Sequence, residues 1–272
     1  MSIALLDADI VAYRASVAAQ NDIDWGDGQE GLTVSPEKAV EDALRIAEDW
    51  MKAAGCKEAI CCFSGDENFR KTLLPTYKAN RTGEKPEAYL AAVNALEDEY
   101  EVLRQPKLEA DDIIGIMMGS PKRTFVGVTI DKDLHSCPGY LFNPTKDKKP
   151  RKINTRYADE FHLKQTMCGD TVDGYTGIPG VGPAKAQEIL ANPHRLLKET
   201  KTISRGKNKG KSKTNWVKGG PCSVWESMVD YANKSGMSEA DLSLQSLVAR
   251  ILRHGDYDWD TKQIKLWNGT TA

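Results

Sequence analysis

The 272-residue sequence contains no apolar run approaching 18 residues, so no membrane-spanning helix is expected. Met1 to Leu6 lacks a basic leader and carries a short apolar run, which argues against a signal peptide. Cysteine is scarce. Its six residues form no Cys-x-x-Cys pair, and none of the four His stands at metal-ligand spacing beside them. A disulfide scaffold and a structural zinc site are therefore not expected, and a reducing cytoplasm fits. Cys61 and Cys62 lie inside an apolar run and read as small buried thiols. An excess of one charge is also missing, since the net charge is −2. That balance conceals an uneven distribution. Between Lys198 and Lys218 eight basic residues accompany one acid, Glu199, so this block carries +7 and the remainder about −9. Such a chain suits a polyanionic partner and an acidic site elsewhere, although the block taken by itself reads equally as a solvated loop.

Short apolar runs alternate with helical patterns. Ile3–Leu6, Glu58–Phe63, Glu101–Leu103 and Thr124–Ile130 read as strands. Between them, Ile10–Ala19, Pro36–Ala54, Pro86–Tyr100 and Glu109–Met118 read as helices; Val40, Leu44, Ala47 and Met51 recur at three- and four-residue spacing. Alternation of this kind predicts an α/β fold around a central, mostly parallel sheet. Beyond residue 155 the pattern turns helical at 156–168, 181–191, 224–234 and 239–253. Residues 1–154 are therefore expected to form an α/β core and 155–272 a mainly helical part, with a hairpin at Tyr257–Trp267 and a basic loop at 198–218 that includes the Lys/Gly/Ser stretch 204–213.

The apolar runs end in acids. Ile3–Leu6 leads into Asp7 and Asp9, Ile60–Phe63 is followed by Asp66, and Thr124–Ile130 ends in Asp131 and Asp133. Residues just past the carboxyl ends of parallel strands gather along one edge of a sheet. Glu109, Asp111 and Asp112 open a helix, and Asp170 and Asp173 repeat a three-residue spacing. Unpaired carboxylates brought together raise one another's pKa. Hard divalent cations relieve that repulsion through oxygen ligands, which makes Mg²⁺ the expected occupant. A pair of such ions forms the usual clamp for in-line attack at phosphorus. Taken singly, each cluster could equally be a helix cap or a solvated surface; five together favour the metal site.

Two further elements suit phosphate. Gly177-Ile178-Pro179-Gly180-Val181-Gly182 precedes a helix, and its glycines let backbone N–H groups approach an anion. The stretch 169–191 thus reads as a helix–hairpin–helix gripping a nucleic-acid backbone. Phe69-Arg70-Lys71 and Tyr77-Lys78-Ala79-Asn80-Arg81 interleave cations with rings, a pattern suited to single strands.

These segments resemble the 5′-nuclease superfamily, which includes the flap endonucleases, and more narrowly the 5′→3′ exonucleases of short-tailed bacteriophages. The likeness is carried by LLDADIVAYR, FSGDENFRKTLLPTYKANR, LEADDIIG, TIDKD, MCGDTVDGYTGIPGVGPAKA, GKNKGKSKTNWVK and ARILR, in order along nearly the whole chain. It implies a PIN-like nuclease fold with a helical arch near 67–107. It implies that Asp7, Asp66, Glu109, Asp111, Asp112, Asp131, Asp133, Asp170 and Asp173 bind metal, with Asp9 secondary. Arg70, Lys78 and Arg81 would act on the scissile phosphate at the arch base. Tyr13, Arg14 and Tyr77 would contact bases and backbone. Gly180, Gly182 and Lys185 match the hairpin, although here Ala184 follows Pro183 and Lys185 stands one place later than in many relatives. Lys207, Lys209 and Lys211 belong to the basic block that would hold duplex.

The expected function is hydrolysis from 5′ ends of double-stranded DNA, with two Mg²⁺ ions or Mn²⁺ in their place. RNA–DNA hybrids are a further implied substrate. The implied setting is phage DNA replication, recombination and host-DNA breakdown in the cytoplasm of an infected bacterium, by a monomer that binds no membrane. Two alternatives remain open at this point: a structure-specific 5′-flap endonuclease, and a non-enzymatic protein that binds DNA ends.

Overall fold

In the computed structural model, which describes residues 2–24, 30–81 and 83–269, the first apolar run becomes a strand buried along its whole length. This is β1 (Ile3–Asp7), followed by α1 (Ala8–Ala18), β2 (Gln20–Asp24), β3 (Glu30–Val34), α2 (Pro36–Ala53) and β4 (Glu58–Phe63). Next come α3 (Phe69–Leu73), α4 (Tyr89–Glu99), β5 (Glu101–Arg104), α5 (Ala110–Met118) and β6 (Phe125–Val128). A single 3₁₀ turn (Asp133–Ser136) leads to β7 (Gly139–Phe142), β8 (Arg151–Ile153), α6 (Thr155–Cys168) and α7 (Pro183–Ala191). The remainder is β9 (His194–Thr202), β10 (Ser212–Pro221), α8 (Val224–Ser235) and α9 (Glu239–Ala249).

Six strands form one sheet in the order β5-β4-β1-β6-β7-β8. All neighbours are parallel except β7 and β8. β1 sits near the centre, with Asp7 opposite Cys62 of β4 and Leu6 opposite Val128 of β6. A strand covered on both faces must be apolar throughout, which explains its unbroken Ile-Ala-Leu-Leu run. Helix ends are equally local in origin. Ser35 caps α2 by accepting the Lys38 N–H, with Pro36 at the first helical position. Reciprocal capping boxes join Ser223 to Glu226 at α8 and Ser238 to Asp241 at α9.

The chain divides into two compact units that interleave along the sequence. The first comprises Met1–Thr72, Arg81–Asp159 and Ile251–Leu266; the second comprises Leu73–Asn80, Glu160–Arg250 and Trp267–Ala272. One cut between 154 and 155 does not describe this arrangement. In the first unit Ala8, Val11, Ala12, Ala43, Ala47, Trp50, Ala92 and Leu96 pack with the inner strands. The small alanines let α1, α2 and α4 approach closely. In the second, Leu163, Met167, Ile178, Val181, Ile189, Met228 and Leu242 form a separate core.

The α/β reading is correct, with several differences in detail. The hairpins β2–β3 and β9–β10, and the strands β7 and β8, were not anticipated. The Lys/Gly/Ser block is the tip of β9–β10, closed by Ile203 N–H to Lys211 carbonyl and Gly210 N–H to Ile203 carbonyl bonds. Its run of charges lacks the apolar alternation by which a strand is usually read. Within 67–107, expected as a helical arch, the structure has the short α3, a series of turns, α4, and β5 of the sheet. α9 ends at Ala249 rather than 253, because Arg250 is extended and the Leu252 N–H is engaged by Asp112. At the expected hairpin, Tyr257 and Ile264 form a single antiparallel bridge.

Candidate active site

Asp7 ends β1 and caps α1, which places it at the carboxyl edge of the sheet. It is 2% exposed; its Oδ2 accepts from Thr129 Oγ1 at 2.8 Å and its Oδ1 from the Ile10 N–H at 3.4 Å. Burial, together with the nearby negative charges of Asp9 and Asp131, pushes its carboxyl up to about 7 against the lowering bond from Thr129. Asp9, in the first turn of α1, accepts from the Ser64 N–H at 2.9 Å and from the Tyr89 hydroxyl at 2.9 Å. Ser64 in turn accepts from the Ala110 N–H at 3.1 Å, tying the end of β4 to the start of α5. Asp131 receives the Asp133 N–H at 2.8 Å, and its own N–H donates to Thr129 Oγ1 at 3.0 Å. Asp66, past the end of β4, lines the same cleft as Asp9, so three strand ends deliver acids to one edge.

At the start of α5, Asp112 is fully buried and wholly committed to protein partners. Its Oδ1 accepts from Arg70 Nη2 at 2.7 Å and from the Leu252 N–H at 3.0 Å. Its Oδ2 accepts from Arg70 Nη1 at 2.7 Å and from the Glu109 N–H at 3.1 Å. Arg70 is 0% exposed and also reaches Glu109 Oε2 at 3.2 Å. The expectations for this pair need correction. Arg70 does not face a substrate phosphate, because its guanidinium is enclosed by carboxylates. Asp112 does not offer a free oxygen to a cation. Both serve to hold the N-terminus of α5, while the half-buried Glu109 and Asp111 remain at the edge.

Beside these acids lies a cleft of about 1100 Å³ lined in part by Asp9, Tyr13, Arg14, Asp66, Arg81 and Lys85. Tyr13 is 52% exposed, so its ring is available for stacking. Lys85 Nζ lies 3.9 Å from the Tyr89 ring centroid, and Arg104 stacks on Phe63 at 4.8 Å. Sequence reading did not select Lys85, Tyr89 or Arg104 and set Asp9 aside. The interleaving of cations and aromatics around them is the signal that could have found them.

The second unit holds the other expected residues. Tyr77 is 2% exposed and packs with Tyr175, Val248 and Ala249, so it is core rather than a stacking platform. Its hydroxyl approaches Asp173 Oδ2 at 3.4 Å, and Lys78 Nζ lies 4.0 Å from Asp173 Oδ1. Asp170 accepts the Val172 N–H at 2.9 Å and forms a bridge with Tyr175. In the glycine-rich turn, Gly180 adopts φ +80° with open space around it, and Gly182 caps α7. Lys185 is directed to Glu188 at 2.9 Å and lies 5.1 Å from the Tyr231 ring centroid, not at the glycine turn. Glu188 also binds Lys218 at 2.9 Å, which fastens α7 to β10. Lys207, Lys209 and Lys211 are exposed at the β9–β10 tip.

Among the described residues no group of three or more His, Cys, Asp or Glu side chains is arranged as a preformed metal cage. The donor chemistry at the sheet edge nevertheless fits a hard divalent cation: the side chains there offer carboxylate oxygens, and Asp9 and Asp131 lie near enough to Asp7 to add to the upward shift that burial imposes on it. Among the described residues no helix is long and apolar enough to cross a membrane.

The description "5′-3′ exonuclease, N-terminal resolvase-like domain" matches residues 2–154. An exonuclease of Escherichia phage T7 is 34% identical over 279 residues, spanning 97% of this chain and 93% of the relative. An exodeoxyribonuclease of Enterobacteria phage T3 is 34% identical over 281 residues, spanning 97% and 92%. Among solved structures, a T5 5′-exonuclease with bound zinc superposes with a TM-score of 0.60 at 14% identity, covering 92% of this chain and 89% of the other. A bacteriophage T5 flap endonuclease in a pseudo-enzyme-product complex with DNA and metal ions gives 0.52 at 15% identity, covering 70% and 75%. The fold is thus that of the 5′-nucleases, and the chain belongs to the 5′-3′ exonuclease family and is a 5′-3′ exonuclease.

Proposed function

We propose that the enzyme hydrolyses phosphodiester bonds from the 5′ ends of double-stranded DNA. The observation that carries this reading is the acidic edge at the ends of β1, β4 and β6, beside a cleft lined by Tyr13, Arg14, Arg81 and Lys85. The named function of the T3 relative supports DNA as the polymer. Asp7, Asp66, Glu109, Asp111, Asp131 and Asp133 are the residues that would hold divalent cations, Mg²⁺ or Mn²⁺. Asp170 and Asp173, in the second unit, are proposed as metal-binding on the family likeness alone. The chemistry such ions supply when bound is activation of water and neutralisation of charge on the leaving 3′-oxygen. The chain's own groups do the positioning. Thr129 and the Ile10 N–H orient Asp7, and Ser64 and Tyr89 orient Asp9. Arg81 and Lys85 meet the phosphate, and Tyr13 offers a face to the terminal base.

In this reading the core carries the chemistry, while the glycine turn at 177–182 and the β9–β10 tip hold duplex. RNA–DNA hybrids are a further substrate. The setting is phage replication and host-DNA breakdown in the host cytoplasm, with the enzyme acting as a monomer. The T5 flap endonuclease structure supports a second reading, cleavage at a 5′-flap junction. The test is a blunt duplex with a 5′ label beside a 5′-flapped duplex, with Mg²⁺ and with EDTA. Early release of labelled mono- or dinucleotide from the blunt end, dependent on Mg²⁺, is the expected result. Cutting confined to the flap junction would establish the second reading instead.

A further inference from the structure

The turn between β7 and β8 is basic, and neither the motifs nor the cleft accounts for it. Residues 146–152 read Lys-Asp-Lys-Lys-Pro-Arg-Lys, five basic residues and one acid. Because β7 runs parallel to β6, its end at Phe142 lies at the same edge as Asp131. Asn143, just past that end, donates through Nδ2 to the Ile130 carbonyl at 3.4 Å. The turn is rigidly built. The Lys146 and Asp147 N–H groups both donate to the Asn143 carbonyl, at 3.1 and 2.8 Å. Asp147 Oδ2 accepts the Asn143 N–H at 2.8 Å and lies 3.6 Å from Arg151 Nε. The one acid of the run is therefore consumed within the turn. Arg151 is joined to the 3₁₀ turn carrying Asp133: its Nη2 meets His135 Nε2 at 2.5 Å, and His135 Nδ1 meets the Tyr157 hydroxyl at 3.1 Å. Lys146, Lys148 and Lys149 are exposed, and among the described residues no carboxylate pairs with them.

We infer that this turn is a further binding site for backbone phosphates, and that its ligand is the DNA strand being cut. The turn joins β7 to β8, whereas Asp7 and Asp131 stand at the ends of β1 and β6, about two strand positions away, or roughly 10 Å at the usual inter-strand spacing. One strand of B-form DNA rises about 3.4 Å per phosphate along the duplex axis, and successive phosphates lie further apart than that in space, so the turn lies within about three phosphates of a scissile bond placed at Asp7 and Asp131. An enzyme that releases mono- or dinucleotides leaves at most two nucleotides on the 5′ side of that bond. The phosphates met by the turn thus lie on the 3′ side, ahead of the cut. Three lysines there pull the strand across the acidic edge, which by itself repels it. This inference rests on the proposed 5′-end reading.

The test is binding of blunt duplex in EDTA by wild type and by the triple variant K146Q/K148Q/K149Q, across a salt series. The duplexes carry one neutral methylphosphonate walked along the cut strand, or along its complement. The variant should show a shallower log–log salt slope, by roughly 0.9 for each phosphate that the lysines no longer neutralise. A methylphosphonate within about the first three phosphates on the 3′ side of the cut should weaken wild-type binding several-fold and leave the variant's affinity unchanged, a non-additive pair. An unchanged slope would overturn the proposal, as would coupling confined to the complement or coupling at no position. Far-UV circular dichroism checks that the surface variant is folded. The polarity assay on wild type separates the two ideas. Failure to release the 5′ label would sink the 5′-end reading, whereas the binding cycle reports on the turn without cleavage.

Discussion

Arg70 and Asp112 form a two-armed ion pair with both side chains 0% exposed, and each guanidinium nitrogen lies 2.7 Å from its own carboxylate oxygen. The pair joins α3 to α5 and, through the Leu252 N–H, to the segment after α9. Removing one partner leaves the other charged and enclosed, which typically costs about 3–5 kcal/mol. Arg70→Ala and Asp112→Ala should both lower the urea midpoint strongly. Arg70→Lys should recover little, because an ammonium cannot make the parallel fork. An Arg70→Ala protein of normal stability that had lost catalysis alone would return Arg70 to the scissile phosphate.

Asp131 faces the same edge as Asp7 and Asp9 but is half-buried, and its carboxylate accepts the Asp133 N–H. Asp131→Ala should reduce cleavage of 5′-labelled duplex by several orders of magnitude, while duplex binding in EDTA stays near wild type. Full cleavage by this variant would remove the acidic edge from the chemistry.

Gly180 stands at φ +80° with nothing near the place a Cβ would occupy. Gly180→Ala therefore meets no steric neighbour, and its cost comes from the backbone, roughly 1–2 kcal/mol. The expected result is a small drop in stability with a larger loss of duplex affinity, measured by denaturation and by fluorescence anisotropy. Equal affinity would show that the turn does not touch the DNA.

Glu188 lies between Lys185 and Lys218, whose hydrogen bonds and charges lower its carboxyl to about 2. A lowered carboxyl stabilises the fold above its unfolded value, and that contribution disappears as pH falls through the folded value. The difference in urea midpoint between wild type and Glu188→Gln should be constant above about pH 5 and should vanish towards pH 2. Because the group is exposed, the difference should also shrink with salt. A difference that instead grows on acidification would contradict the assignment.

Cys56, Cys61, Cys62 and Cys137 are buried, while Cys168 and Cys222 are half-buried. Burial pushes the Cys61 thiol up to about 12 and raises Cys62 well above the ordinary range. A disulfide-exchange reagent at pH 8 should titrate no more than two of the six thiols in the native protein and all six in denaturant. Rapid reaction of four or more would contradict the packing around β4.

Much of the first unit was legible in the sequence, because its signals are local. Ile3–Asp7 and Glu58–Phe63 are apolar runs that can be read as strands without knowing what covers them. The Ser35–Pro36 start of α2 and the acids after β1, β4 and β6 belong to the same class. β7 and β8 were missed because four- and three-residue strands carry too few positions to show alternation, and β9–β10 because lysine replaces the usual outward residues.

The sequence by itself determined which residue types stand at the sheet edge and in what order, since a carboxylate directly after a buried strand has nowhere else to go. Tertiary structure decided what each could do there. Motif order treats Arg70, Lys78 and Arg81 alike. Burial encloses Arg70, Asp173 draws in Lys78, and Arg81 stands exposed at the cleft. Likewise Asp111 and Asp112 are adjacent in sequence, yet a helix turns neighbouring side chains about 100° apart. One is therefore left at the edge, and the other is spent on Arg70 and the Leu252 N–H, a partner 140 residues away.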